Sequence, residues 1–564
     1  MASSSSVFEQ IAADAWRETA RLAVAALSRR AGELGEAGRA LAQTLDLREP
    51  LPRGVEALAQ YLADRAPAAV RAALVESLDW ELHTYRGGRK VEATHRLEAI
   101  EAPEPEGVET SGAPIRAEPG FGEDAAAMDL DAPHSMGDVT RYATAYLGST
   151  FVNDAVDHER DVELHNGTAA EAMAGMRRRG SRTFHRLATP KLHFQILLGD
   201  DLRYAIACDD GLDMFRHLEK VLRAVRSGSG RRIDPARVSR FDHRIDEASY
   251  RPARFRRCFE SSGAMPRQVT VGFKNALLGA LAARAQWVAR VRALQGSRTL
   301  PPELEPLRDL DVRDLLHSAP RREWLAGVVA RAKAAGLGDR FADGPAAKLD
   351  VVDGPDDFLD HSRLRYQDAR GQPREVLMVR NPYGEAAVAM GALLRDRGVE
   401  DVLVYGTAAS LDRGSQVGEL HLPSRATSAD GTVHELDNHA LDGQFAELHA
   451  QPGTRLRSRV VNVRTPLDEF DRDIDRLRTE GHHLVEMELA GLLRGLRGSA
   501  RVAALHVVSD VPQSADTLEG FSPTRAERAL GVAVDVWVRM FGIVEVIRVE
   551  RDSPGGVAVR RDRM

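Results

Sequence analysis

The sequence predicts a multidomain α/β protein with an α-helical N-terminal module, an α+β middle region and a C-terminal domain built on a mixed sheet covered by helices. Three observations predict it. The chain has 564 residues, several times the ~100–200 of a single domain. From about Lys348 to Val549, short apolar runs alternate with helical patterns, which is how a largely parallel sheet packed between helices reads. An acidic, proline-rich stretch over 101–138 interrupts the chain.

Residues 1–100 form the predicted helical module. Val7–Leu45 and Val55–Leu82 repeat apolar positions at three- and four-residue spacing on either side of the Pro50–Pro52 break. Glu101–Asp138 holds ten acids, five prolines and one arginine. With so little apolar surface to bury, it reads as a flexible linker. The α+β region is expected over 139–347, with a hairpin at Leu192–Leu198 and Leu202–Ala207 around Gly199-Asp200-Asp201. Helices are expected at Met214–Val225 and within Val269–Leu294.

The last domain is expected over 348–549, followed by a tail over 550–564. Leu364–Gln367 and Glu375–Arg380 flank a turn, Asn381-Pro382-Tyr383-Gly384 breaks the pattern, and Glu385–Arg397 is helical. Strands follow at Asp401–Tyr405, Leu420–Pro423, Arg459–Val463 and Val502–Val508, and helices at Glu486–Leu496 and Pro523–Met540. Ligands of such folds sit beyond the carboxyl ends of the strands.

Composition narrows the function. Two cysteines, Cys208 and Cys258, cannot build a disulfide scaffold or a Cys-rich zinc site. No apolar run approaches the ~18 residues of a membrane span, and MASSSSVFEQ lacks a secretory pattern. A cytoplasmic protein away from membranes is expected. The net charge of −7 is concentrated in the acidic stretch, which carries −9 and leaves +2 elsewhere. The 71 arginines and 6 lysines reflect a chain-wide bias rather than a mechanism.

Three segments carry candidate chemistry. In VLVYGTAASL (Val402–Leu411), small residues let a ligand approach the backbone and Thr407 adds a hydroxyl. In LVEMELAGL (Leu484–Leu492), Glu488 opens a helix beside the soft apolar Met487. In ALHVVSDVP (Ala504–Pro512), Ser509 and Asp510 stand where a buried strand leaves the sheet. A carboxylate among apolar neighbours gains a raised pKa, which acid catalysis requires. Taken singly, Asp510 reads as a turn former, Glu488 as a complement to a helix dipole and Met487 as core.

Taken together, GTAASL…VGEL, TPLDEF, VEMELAGL and VSDVP resemble the nucleoside phosphorylase and nucleosidase superfamily. The nearest groups are the methylthioadenosine/S-adenosylhomocysteine nucleosidases and the hexameric purine nucleoside phosphorylases. The resemblance spans about Leu364–Met540. It implies that Asp510 protonates the departing purine with Ser509 beside it, and that Glu488 holds the ribose hydroxyls over Met487. It also implies that Phe470 stacks on the base and that Thr407 meets phosphate or the attacking water. The phosphorylases carry an arginine where this chain has Val404, so hydrolysis is the expected reaction. The family's first strand and its water-activating glutamate have only Leu349–Asp357 as a stand-in here, and Glu419 replaces an aspartate after Gly418.

Other signals point elsewhere. Asp154–His165 is rich in metal-ligand types, with Asp154/His158 and Asp157/Asp161 at i,i+4, but a solvated helix face accounts for them. His185, His193, His482 and His483 match no ligand spacing. Arg223–Arg257 holds eleven arginines against four acids; a solvated surface accounts for it, and it is otherwise the place for a nucleotide's phosphates. Gly228-Ser229-Gly230 lacks the rest of a phosphate-binding loop. No metal, other cofactor or nucleic-acid partner is expected. The expected function is hydrolysis of the N-glycosidic bond of a purine nucleoside or nucleotide by a chain that forms homo-oligomers. Phosphorolysis and a non-catalytic nucleotide sensor or regulated effector are the alternatives.

Overall fold

The computed structural model describes residues 98–100, 116–130, 132–134, 138–187, 194–208, 211–243, 265–297, 300–337, 349–353, 361–384, 386–436, 453–514 and 523–544. The predicted helical module over 1–97, residues 101–115 and the tail lie outside them.

The first unit carries β1 (Glu98–Ile100), β2 (Arg116–Pro119), α1 (Glu123–Ala126), α2 (Val139–Leu147), α3 (Ser149–Asp157), β3 (Val162–Asn166) and α4 (Ala169–Arg178). It continues through β4 (Phe184–Leu187), β5 (Phe194–Gly199), β6 (Tyr204–Cys208), α5 (Leu212–Ala224) and β7 (Val238–Asp242). The strands form one sheet in the order β1-β4-β5-β6-β3-β7-β2, with β3 parallel to both its neighbours. The expected hairpin is β5–β6. Local chemistry sets the helix starts: the Asp138 carboxylate accepts from Arg141 N, and Thr168 with Glu171 closes a capping box.

The linker expectation is corrected over its described half. β2 pairs β7, Met128 is buried, and Phe121 and Leu130 pack on the same core. The acids that suggested a solvated tether find partners: Glu118 pairs with Arg240, itself paired with Glu219, whose carboxylate also accepts from Gly122 N. Likewise β1 is a strand at the end of the expected helical module.

The second unit begins earlier than expected. It carries β8 (Gln268–Gly272), α6 (Lys274–Gln295), α7 (Asp314–His317), α8 (Ala319–Ala334), β9 (Val351–Asp353), β10 (His361–Gln367), β11 (Pro373–Val379), α9 (Ala386–Asp396) and β12 (Asp401–Ser410). It ends with β13 (Leu420–Thr427), β14 (Val433–Glu435), β15 (Thr454–Asn462), α10 (Asp471–Thr479), β16 (Leu484–Glu486), α11 (Leu489–Leu496), β17 (Arg501–Asp510) and α12 (Pro523–Met540).

β8 lies between β11 and β12 and runs parallel to both. It is the first strand of this sheet, so the stand-in Leu349–Asp357 is corrected: β9 is an edge strand beside β10. The expected boundary at 347/348 therefore falls inside one sheet, and α6 shares a core with α12 and β17 through Leu281, Leu505 and Trp537. Five residues, QVTVG, were too short an apolar run to stand out from the α6 pattern behind them.

The strands β12, β17, β13, β15 and β16 close on themselves, since each pairs the next and β16 returns to β12. Closure lengthens β12 past the expected Tyr405 to Ser410. Small residues there allow the register shift at Ala408/Ala409 by which it pairs both β16 and β17. Among the described residues no helix is long and apolar enough to cross a membrane.

Candidate active site

β8, β12 and β17 run parallel with their carboxyl ends on one side, and β16, antiparallel to β12, meets the end of β12 with Val485 opposite Ala409. Gly272, at the end of β8, has φ +132°, and a Cβ there would stand 1.8 Å from the Tyr405 carbonyl oxygen. Only glycine lets β8 come this close to β12. Beyond it, Phe273 N donates to Tyr405 O (3.0 Å). Asn381 leaves β11 beside Gly406: its Nδ2 lies 3.1 Å from where a Gly406 Cβ would be. Thr407 follows, half-buried and opposite Val507 of β17.

Asp510 ends β17 opposite Ala409. It is buried, and desolvation pushes its carboxyl up to about 6, against the opposing hydrogen bond from Ser509. Ser509 Oγ donates to Asp510 Oδ1 at 2.6 Å. The pair that the VSD motif set side by side is therefore in hydrogen-bond contact.

The VEMELAGL segment divides differently from its helical expectation. Leu484–Glu486 is strand β16, and the helix starts at Leu489 with Glu488 as its N-cap residue. Glu486 is buried, and its carboxylate accepts from Glu488 N (2.7 Å) and Leu489 N (3.0 Å). Desolvation nonetheless raises its pKa. Glu486 thus fixes the backbone that presents Glu488 and Met487, and Asn462 Oδ1 adds a bond from Ala490 N (3.2 Å). Sequence reasoning assigned Glu486 no role, although a second carboxylate two residues from Glu488 was in plain view.

Behind these groups lies a buried pair of imidazoles in the closed ring of strands. His506 of β17 sits opposite His421 of β13. His421 Nδ1 is 2.9 Å from Ser458 Oγ, and His506 Nε2 is 4.0 Å from Glu486. Burial, helped by His421, holds His506 down to about 3, so it is neutral near pH 7.

Phe470 is the N-cap residue of α10, stacks edge-on against His134 and lines a cavity of about 790 Å³. That cavity also takes in Asp213, Arg216, Lys220 and Thr465 but not Asp510, Ser509, Glu488, Met487 or Thr407.

The Tyr142 phenol of α2 is raised by burial and by the fields of Glu469 and Asp510. The Tyr383 phenol, between β11 and α9, is raised by burial with a contribution from Glu488.

No family model matches the chain, and no curated protein matches it. Solved structures do. One is a 5′-methylthioadenosine/S-adenosylhomocysteine nucleosidase from Colwellia psychrerythraea 34H in complex with adenine, at 19% identity over 36% of this chain and 90% of that one, TM-score 0.29. A second is a uridine phosphorylase from Vibrio fischeri ES114, at 15% identity over 34% and 83%, TM-score 0.30. A third is a futalosine hydrolase from Helicobacter pylori strain 26695, at 14% identity over 34% and 88%, TM-score 0.28. All three belong to the nucleoside phosphorylase/nucleosidase superfamily. The likeness spans about a third of this chain, and what the site can do follows from its own side chains.

The metal reading of Asp154–His165 is not supported. The helix ends at Asp157, Val162–Asn166 is a strand, and Asp154 is taken by Tyr204 and Arg160. Among the described residues no group of His, Cys, Asp and Glu is placed to hold a metal ion.

Proposed function

We propose that the ends of β12 and β17, with the turn after β16, form a site that hydrolyses the N-glycosidic bond of a purine nucleoside or nucleotide. The observation that carries the reading is Asp510: a buried carboxyl, raised to about 6, at the end of β17 opposite Ala409, with Ser509 hydrogen-bonded to it. A fraction of Asp510 remains protonated near neutrality, as a general acid must.

In this reading Asp510 gives its proton to the purine as the C1′–N bond breaks and the bonding electrons move to the base. Glu488 accepts hydrogen bonds from the ribose hydroxyls and stabilises the positive charge developing on the sugar. Water adds its oxygen to C1′, and the proton it releases restores Asp510. Ser509 keeps the Asp510 carboxyl oriented through its 2.6 Å hydrogen bond. Thr407, near the carboxyl end of β12 opposite Val507, is the hydroxyl that this reading assigns to the attacking water.

Hydrolysis is preferred to phosphorolysis because Val404 is buried within the sheet, packed with Val402 and Val460, where no anion reaches it. The test incubates the full chain with a panel of purine nucleosides and nucleotides, with and without phosphate, and follows base release by chromatography. Release independent of phosphate supports hydrolysis. Release only with phosphate makes the site a phosphorylase, and binding without release from any substrate makes it a sensor.

A further inference from the structure

We propose that the cavity in the seam between the two units is a ligand site of its own, separate from Asp510 and Glu488. It takes a nucleoside monophosphate, with the phosphate on Arg216 and Arg464 and the base against Phe470.

The walls of this cavity come from both units and are fixed to each other. Asp213, Arg216 and Lys220 follow at i, i+3 and i+7 on α5, so one face of that helix presents all three. The second unit contributes the segment from Arg464 into α10. His217 Nδ1 of α5 lies 2.6 Å from Thr465 Oγ1, Lys220 pairs with Asp468, and Asp471 N donates to the Pro133 carbonyl at 3.2 Å. These contacts set the walls before any ligand arrives. The volume of about 790 Å³ falls within the ~300–1,000 Å³ of small-molecule sites.

The charges along the walls do not all cancel. Lys220 takes Asp468, and Arg478 takes Asp475 at 3.0 Å. Arg216 and Arg464 form no ion pair with any described residue. Arg216 is half-buried, where a guanidinium without a counter-charge is costly. One of these two arginines comes from each unit, and an anion that bridges them satisfies both. The planar fork of arginine suits phosphate oxygens in particular.

A small anion alone would leave the rest of the cavity unused. Asp124 and Asp471 also lack an ion pair with any described residue, so the ligand needs hydrogen-bond donors besides its negative charge. The amino group of an adenine-type base and the ribose hydroxyls supply them. Phe470 and the buried Met128 add apolar area. The exposed Arg472 already lies over the Phe470 ring, 5.5 Å from its centroid, using it as a platform for a planar group.

The test is calorimetric titration of the full chain with adenosine monophosphate, adenosine and inorganic phosphate. Asp510→Asn is present throughout to prevent turnover. Arg216→Gln and Arg464→Gln are compared with Arg267→Gln, a surface control that lies outside the cavity, and melting midpoints confirm folding. Two sites per chain are expected for the monophosphate and one for adenosine. Each cavity variant is expected to weaken one monophosphate site by about 10- to 100-fold, the effect of losing a charge-assisted hydrogen bond, and to leave adenosine and the control unchanged.

Unchanged monophosphate affinity in both cavity variants overturns the proposal. So does a single monophosphate site from which adenosine competes the ligand away, because the cavity would then be part of the carboxylate site. Displacement of the monophosphate by an equal concentration of inorganic phosphate overturns the nucleotide assignment. If adenosine does not bind and the one remaining monophosphate site depends on both arginines, the hydrolytic reading fails and the cavity site stands.

Discussion

The Ser509 hydroxyl donates a 2.6 Å hydrogen bond to Oδ1 of Asp510, while burial drives the same carboxyl in the opposite direction, up to about 6. Desolvation penalises the charged form and the hydroxyl favours it, and desolvation wins. Ser509→Ala removes the hydrogen bond that lowers the Asp510 pKa, so the acid is expected to hold its proton to higher pH. The alkaline limb of the kcat/KM profile should move up, and a limb that stays in place or moves down would sink this description of the pair.

A raised carboxyl also costs stability. Asp510 goes from 3.8 to about 6, which at pH above 6 costs the native state about 3 kcal/mol. The native state binds the proton more tightly, so the cost is full above pH 6 and disappears as pH falls below 3.8. Asp510→Asn is therefore expected to raise the thermal midpoint at pH 7.5 and to give little gain at pH 3.5. Calorimetry at the two values checks this, and a destabilised variant at pH 7.5 would contradict it.

His506 has the reverse sign. Its native pKa is lowered to about 3, against ~6.5 for an exposed imidazole. The stability it contributes is fully present above pH 6.5 and is lost as pH falls from there toward 3. His506→Gln should flatten that part of the stability–pH curve, measured by denaturant unfolding between pH 7 and 4. An equally steep loss in the variant would place the acid sensitivity elsewhere.

Gly272→Ala tests the meeting of β8 and β12. At φ +132° and with Tyr405 O 1.8 Å from the new Cβ, the strand must withdraw from the sheet. A loss of several kcal/mol, or failure to accumulate as folded protein, is expected. Wild-type stability in this variant would mean that the strands tolerate a wider separation.

Much of the second unit was legible because its helices and buried strands repeat over many residues: α12 has the bounds its pattern predicts, and the β10–β11 hairpin follows its turn. What escaped was set by distant partners. QVTVG becomes the central strand β8 only by pairing with segments more than a hundred residues away. The acids of Glu118 and Glu219 look like solvated charge until Arg240 is placed between them.

The site divides the same way. Local motifs pointed to Asp510 and Ser509, which are in contact, and to the turn bearing Met487 and Glu488. They could not show that Glu486 secures that turn, that Phe470 shares a cavity with Asp213, Arg216 and Lys220, or that Asp510 bears on Tyr142 from residues expected to form another domain.

The central claim is that Asp510 is the acid of an N-glycosidic hydrolysis. The measurement that tests it most directly is base release in phosphate-free buffer by wild type and Asp510→Asn across pH 5 to 9. The account predicts release by wild type that declines as pH rises above about 6, and a loss of ~10²–10⁴-fold in the variant. Release by the variant at the wild-type rate, with the same pH profile, would contradict it.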